Sequence, residues 1–177
     1  MEIVIILGLI FLNGILSMSE IAMVSARKSR LETAAKKGSK TAKTALRLAN
    51  EPDRFLSTIQ IGITLIGILT GLYSGEALAG DLARWLETIG IPQAHSLTLA
   101  KGIIVILVTY LTLILGELVP KHLGMNAPEK IARLIARPME VLSKIASPFV
   151  WLLSASTQAV IRLTGLPASH ESDRRRN

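Results

Sequence analysis

Residues 3–24 read IVIILGLIFLNGILSMSEIAMV, and a run of cations follows at once: Arg27, Lys28, Arg30, Lys36, Lys37, Lys40, Lys43 and Arg47. At ~1.5 Å per residue, a helix of that apolar length crosses a ~30 Å hydrocarbon core. It does not read as a cleavable leader. It opens Met1-Glu2 with no basic lead, and no A-x-A site follows it. Basic residues on its C-terminal side place the N-terminus outside and the following loop in the cytoplasm. That loop, residues 27–50, is rich in Ala, Lys, Leu and Arg, all good helix formers. Gly38 divides it, which predicts a two-helix hairpin under the membrane that stops at Glu51-Pro52.

Two more runs of the same kind follow. Residues 55–79 cross outward, and 97–119 cross back. Between them Asp81, Arg84, Glu87 and His95 leave the outer loop near neutrality. Leu82, Trp85, Leu86 and Ile89 there share one face of a predicted short interfacial helix, which ends at Gly90 and Pro92. Lys121, His122, Lys130, Arg133 and Arg137 follow the third run on the cytoplasmic side. Residues 139–163 are apolar too, but Lys144, Pro148, Ser154, Ser156, Thr157 and Gln158 interrupt them. A fourth span would also carry Arg174, Arg175 and Arg176 outside. The preferred reading is therefore amphipathic helices over 127–165, lying at the inner interface and broken at Pro138 and Pro148. The expected fold is all-α and integral to the membrane: three transmembrane helices plus cytoplasmic juxtamembrane amphipathic helices. Residues 1–166 form the membrane domain and 167–177 a polar tail or linker. The plasma (inner) membrane is its expected location, with the C-terminus cytoplasmic.

Composition supports this reading. Mean hydropathy is +0.46, high for a water-soluble chain of 177 residues. The net charge is +7, but the cations flank apolar runs and only 4% of residues are aromatic, so membrane orientation explains them better than nucleic-acid binding. The absence of cysteine excludes thiolate metal sites and thiol catalysis. No H-E-x-x-H occurs either, so an intramembrane enzyme is a poor fit.

Polar groups recur where lipid is expected. Asn13, Ser17 and Glu20 share a face of the first span, and Ser19 adjoins Glu20. Gln60, Thr64, Gly67, Gly71 and Ser74 share a face of the second, and Gly67, Gly71 and Gly75 repeat every fourth residue. Close helix packing is the simpler explanation for Gly71 and Gly75. Thr109, Thr112, Gly116 and Glu117 occupy the inner half of the third span. Its threonines need do no more than bond carbonyls four residues back. The carboxylates demand more explanation, because an ionised group in the bilayer costs at least ~2.5–3.5 kcal/mol. For Glu20 the competing reading is a pair with Arg27; for Glu117 it is a pair with Lys121. Glu117 is the stronger candidate. Pro120 has no N–H, so the Gly116 carbonyl loses its α-helical donor beside that carboxylate. A break at Gly62 and Gly67 would likewise bare carbonyls next to the Thr64 hydroxyl. Such a set of oxygens, with no Cys and with His95, His122 and His170 outside the span cores, favours hard cations such as Mg²⁺, Ca²⁺ or Na⁺.

Four segments carry a resemblance: NGILSMSEIA (13–22), FLSTIQIGITLIG (55–67), GELVPK (116–121) and PEKIARLIARP (128–138). Together they resemble the transmembrane domain of the CorC/CNNM family, over nearly the whole chain. The resemblance implies a homodimer with an intramembrane Mg²⁺ site and Mg²⁺ export coupled to Na⁺ entry. It also implies a downstream CBS-domain pair that binds adenine nucleotide; no such pair falls within these 177 residues. Carried over by residue, Glu117 matches the acidic ligand, and Ser17 and Ser19 match the serine-bearing turn before Glu20. Gly62 and Thr64 match the glycine-containing break. Ile63 and Gly67 stand where some members have asparagines, so backbone carbonyls or water would complete the shell. The expected metal set is Glu117, Ser19, Ser17, Gly62, Thr64, Gly116, Gly67 and Glu20. The expected function is Mg²⁺ transport by alternating access. The alternative is a membrane anchor and ion sensor that moves nothing.

Overall fold

Three stretches form helices long and apolar enough to cross a membrane: Glu2–Ser25, Pro52–Thr88 and Gln93–Asn126. The computed structural model describes residues 1–165, and the predicted tail at 167–177 lies outside them. In chain order the elements are α1 (Glu2–Ser25), α2 (Lys28–Lys36), α3 (Lys40–Asn50), α4 (Pro52–Thr88), α5 (Gln93–Leu113), a π turn (Ile114–Leu118), α6 (Val119–Asn126) and α7 (Pro128–Leu163). Among the described residues there is no strand. The outer surface is that of a membrane protein. Phe11, Ile106 and Tyr110 are each more than 60% exposed, which hydrocarbon tolerates and water does not.

The hairpin between the first two spans forms where Gly38 permits it. Gly38 takes φ +93°, and the Ser39 N–H bonds the Ala34 carbonyl while the Gly38 N–H bonds that of Ala35. This closes α2 with a left-handed residue that glycine adopts without penalty. Ser39 then caps α3, its hydroxyl accepting from the Ala42 N–H at 3.2 Å. One apolar core ties the hairpin to the spans and to α7. It runs from Leu16 and Met23 through Leu31, Ala45, Phe55 and Ile59 to Ala132, Ile135 and Met139. At the far end α4 and α5 pack on each other through Ala79, Ile104 and Val108, then Ala83, Leu86 and Ala100.

Three local expectations are corrected. The second span and the predicted interfacial helix are one unbroken helix, α4, of 37 residues. Neither Gly62 nor Gly67 breaks it. A helical glycine costs ~1 kcal/mol, whereas an unsatisfied backbone group in hydrocarbon costs several, so the helix persists. The helix of the third run does not end with the expected span at 119 but runs on to Asn126, through a π turn. Residues 128–163 form a single helix despite Pro138 and Pro148. Both prolines are exposed, while Ala132, Ile135, Ala136, Met139, Ser143 and Ala146 bury the opposite face. Packing of that face holds the helix path where two missing N–H groups alone would bend it.

Glu129 joins the start of α7 to the α1–α2 corner. Its carboxylate accepts from the Arg27 N–H at 3.3 Å and lies 3.8 Å from Arg30. Its own backbone N–H, then the Arg27 N–H and the Arg30 charge, hold its pKa below the ordinary 4.5 against the opposing effect of burial. A depressed carboxylate contributes stability that is fully present above the unfolded-state pKa. That share is lost as pH falls through the lower folded-state value. Thermal stability should therefore be level near neutrality and decline in this acid window. Glu129→Gln should flatten that part of the decline, as read by melting midpoints in detergent across pH.

Candidate functional site

α1 supplies the buried polar face. Asn13, Ser17 and Ser19 are all fully buried, on a helix whose other residues are overwhelmingly apolar. Their roles differ. The Ser19 hydroxyl donates to the Ile15 carbonyl four residues back at 2.6 Å, which satisfies it within its own helix. The Ser17 Oγ has no partner, and neither has Asn13 Oδ1. Four residues apart, these two orphaned oxygens share one face of α1. Buried polar atoms without partners are uncommon and costly, and a bound cation is one of the few things that satisfies an acceptor there.

The face opposite α1 is the π turn. The Val119 N–H bonds the Ile114 carbonyl five residues back, and Pro120, next in line, has no N–H to continue the pattern. The Gly116 carbonyl, whose α-helical donor would be the N–H that Pro120 lacks, is held by α1, Asn13 Nδ2 donating to it at 3.0 Å. A carbonyl oxygen has a second lone pair, so this bond does not exhaust it. The approach is close because both surfaces are glycine. A Cβ on Gly14 would stand 3.1 Å from the Leu115 carbonyl oxygen and 3.0 Å from Pro120 Cγ. One on Gly116 would stand 3.2 Å from Asn13 Nδ2.

Glu117 is carried by this π turn and is half-buried. Among the described residues the ion pairs are Arg30–Glu129, Arg47–Glu140 and Arg84–Asp81, so neither Glu117 nor Glu20 is paired. The structure thus brings Asn13 to Gly116 and the Glu117-bearing turn, with Ser17 one helical turn farther along α1 and Glu20, half-buried, beyond it. Of the α4 candidates, Thr64 and Gly67 are exposed, and Gly62 lies against α1. The Thr64 hydroxyl is met only by the Gln60 amide at 3.4 Å. Gly67 has nothing within 4 Å of where a Cβ would be, and Gly62 packs against Leu16. With α4 unbroken there, its carbonyls are engaged in the helix.

Asn13 was recognisable in the sequence only as a member of a stripe. Its bond to Gly116 spans 103 residues, and no local pattern encodes that. Among the described residues no three His, Cys, Asp or Glu side chains come together as a metal cluster. A cation bound here would meet one carboxylate together with hydroxyl, amide and carbonyl oxygens, a hard-ion set.

Three membrane-length helices, with buried polar groups where α1 meets the π turn, define a multi-pass α-helical membrane domain. The chain belongs to the CNNM family: residues 4–176 match the cyclin M transmembrane N-terminal domain. It is 47% identical over 172 residues to a UPF0053 protein of Synechocystis, covering 97% of this chain and 38% of that protein. It is 32% identical over 165 residues to a UPF0053 protein of Bacillus subtilis, with coverages of 93% and 36%. It is 30% identical over 172 residues to the polyamine export protein of Escherichia coli, with coverages of 97% and 38%. The chain therefore spans well under half the length of these relatives.

Proposed function

We infer that this chain is the membrane domain of a cation exporter whose substrate is Mg²⁺, driven by Na⁺ entry. The observation that carries the reading is the pair of orphaned, fully buried oxygens of Asn13 and Ser17 on one face of α1, Asn13 being bonded to the turn that bears the unpaired Glu117. Glu117 supplies the charge. Ser17 Oγ, Asn13 Oδ1 and the Gly116 carbonyl replace part of the ion's water, and retained waters complete an octahedral shell. The basic residues of α2, α3 and α7 favour a cytoplasmic position for that end, with the N-terminus outside. A homodimer and a downstream CBS-domain pair belong to the same reading.

The name of the Escherichia coli relative favours a second substrate, a polyamine. A long polycation needs anionic groups spaced along a groove. The described residues offer a single carboxylate on the π turn and no acidic cluster, which fits a compact ion better. Flux in sealed proteoliposomes separates the readings. Mg²⁺ movement that rises with an opposing Na⁺ gradient is the expected result. Spermidine movement without Mg²⁺ movement would replace the substrate, and Mg²⁺ binding without flux would favour the anchor and sensor.

A further inference from the structure

We propose that Asn13 is a positioning residue: by holding the Gly116 carbonyl it fixes the π turn, and through that turn the direction of the Glu117 carboxylate. The role in cation binding rests on the function inferred above; the role in fixing the turn does not.

The wider ring of a π turn bonds less well than an α-helical one, and such turns are held by their surroundings. Pro120 removes a backbone donor at the point where the helix returns to α geometry. Sliding back into α register would turn Glu117 around the axis and away from its present direction. Asn13 supplies a donor from another helix, at 3.0 Å, to the carbonyl of the residue before Glu117. The bond is buried, so water does not compete for it. Its setting is shaped for contact. Gly116 leaves room for the amide, which stands 3.2 Å from where a Cβ would be. Gly14, the next residue on α1, lets the Leu115 carbonyl and the Pro120 ring come equally close. An amide suits the place for a second reason. With Nδ2 committed to Gly116, Oδ1 remains as an acceptor on the face of α1 that carries Ser17 one turn on. Leucine would fill the volume and provide neither function.

The sequence allows a direct measurement. Gly-Glu occurs twice, at Gly75-Glu76 and Gly116-Glu117. Protein labelled with 1-¹³C-glycine and ¹⁵N-glutamate therefore gives two carbonyl–amide correlations by NMR in lipid. Gly75-Glu76, on α4, reports whether the fold is intact. In Asn13→Leu the Gly116 carbonyl and Glu117 nitrogen signals should both move while the Gly75-Glu76 signal stays. Mg²⁺ affinity should fall about tenfold, equivalent to about 1.4 kcal/mol, the latch and the Oδ1 ligand being lost together, so the NMR signals carry the positioning role. Ser17→Ala should lower Mg²⁺ affinity with the Gly116-Glu117 signal unmoved, because it removes a ligand and not the latch. An unmoved Gly116-Glu117 signal in Asn13→Leu overturns the proposal. So does a moved signal with unchanged Mg²⁺ affinity, which makes the bond structural only. If the unaltered protein binds no Mg²⁺, the inferred function fails, and the two NMR signals alone decide whether Asn13 fixes the turn.

Discussion

Glu117→Gln is expected to abolish coupled Mg²⁺ flux and to weaken Mg²⁺ binding on the order of 100-fold, while the helices stay assembled. The size follows from the ligand set. Affinity for a hard divalent ion depends steeply on the number of charged ligands, and on the π turn this carboxylate is the only one. The substitution keeps volume and shape, and Glu117 forms no ion pair among the described residues whose loss would disturb the fold. Glu20→Gln is the matched control. It neutralises the half-buried carboxylate carried by α1. Calorimetric Mg²⁺ titration, vesicle flux and far-UV circular dichroism read the three parts of the claim. Retained affinity in Glu117→Gln with lost affinity in Glu20→Gln would move the charged ligand to α1. Retained affinity in both would remove carboxylates from the site.

What the sequence reveals here depends on whether the deciding interaction is local. The three spans are legible because apolar length is a local property, and the hairpin is legible because Gly38 is needed where φ is +93°. The continuity of α4 and α7 is not legible from glycine and proline alone. In α4 the surrounding hydrocarbon decides, and in α7 the packing of Ala132, Ile135 and Met139 decides. The site divides in the same way. Glu117 stands out because a charge in lipid is expensive, and Pro120 marks the carbonyls beside it. The π turn itself has no spacing that announces it. Ser17 and Ser19 look equivalent in the sequence, yet one hydroxyl turns back to the Ile15 carbonyl and the other is left without a partner. Thr64 and Gly67 share the stripe pattern of real packing residues, but their face of α4 is exposed in the chain.

Gly124→Ala should be the most damaging single-methyl change in the chain, and Gly71→Ala should be harmless. A Cβ at residue 124 would stand 2.7 Å from the Met18 carbonyl oxygen, and also near the Ala22 nitrogen at 3.4 Å. Both are backbone atoms of α1, so no rotamer change relieves the clash. α6 must move off α1, and the contact that seats the π turn moves with it. Overpacking of this kind costs about 1–3 kcal/mol. The helix propensity that alanine adds, ~1 kcal/mol, recovers only part of the loss. At Gly71, as at Gly67 and Gly75, nothing lies within 4 Å of the added carbon, and the propensity gain stands alone. Melting midpoints in detergent should therefore fall for Gly124→Ala and hold or rise for Gly71→Ala. Mg²⁺ affinity should follow the first and ignore the second. The comparison also reads the open face of α4. If Gly71→Ala destabilises the assembled protein, the added methyl is meeting a neighbour from outside this chain, and the glycine series on α4 is an interface between molecules. If it does not, these glycines face lipid, and the close helix contacts that matter lie between α1 and the π turn.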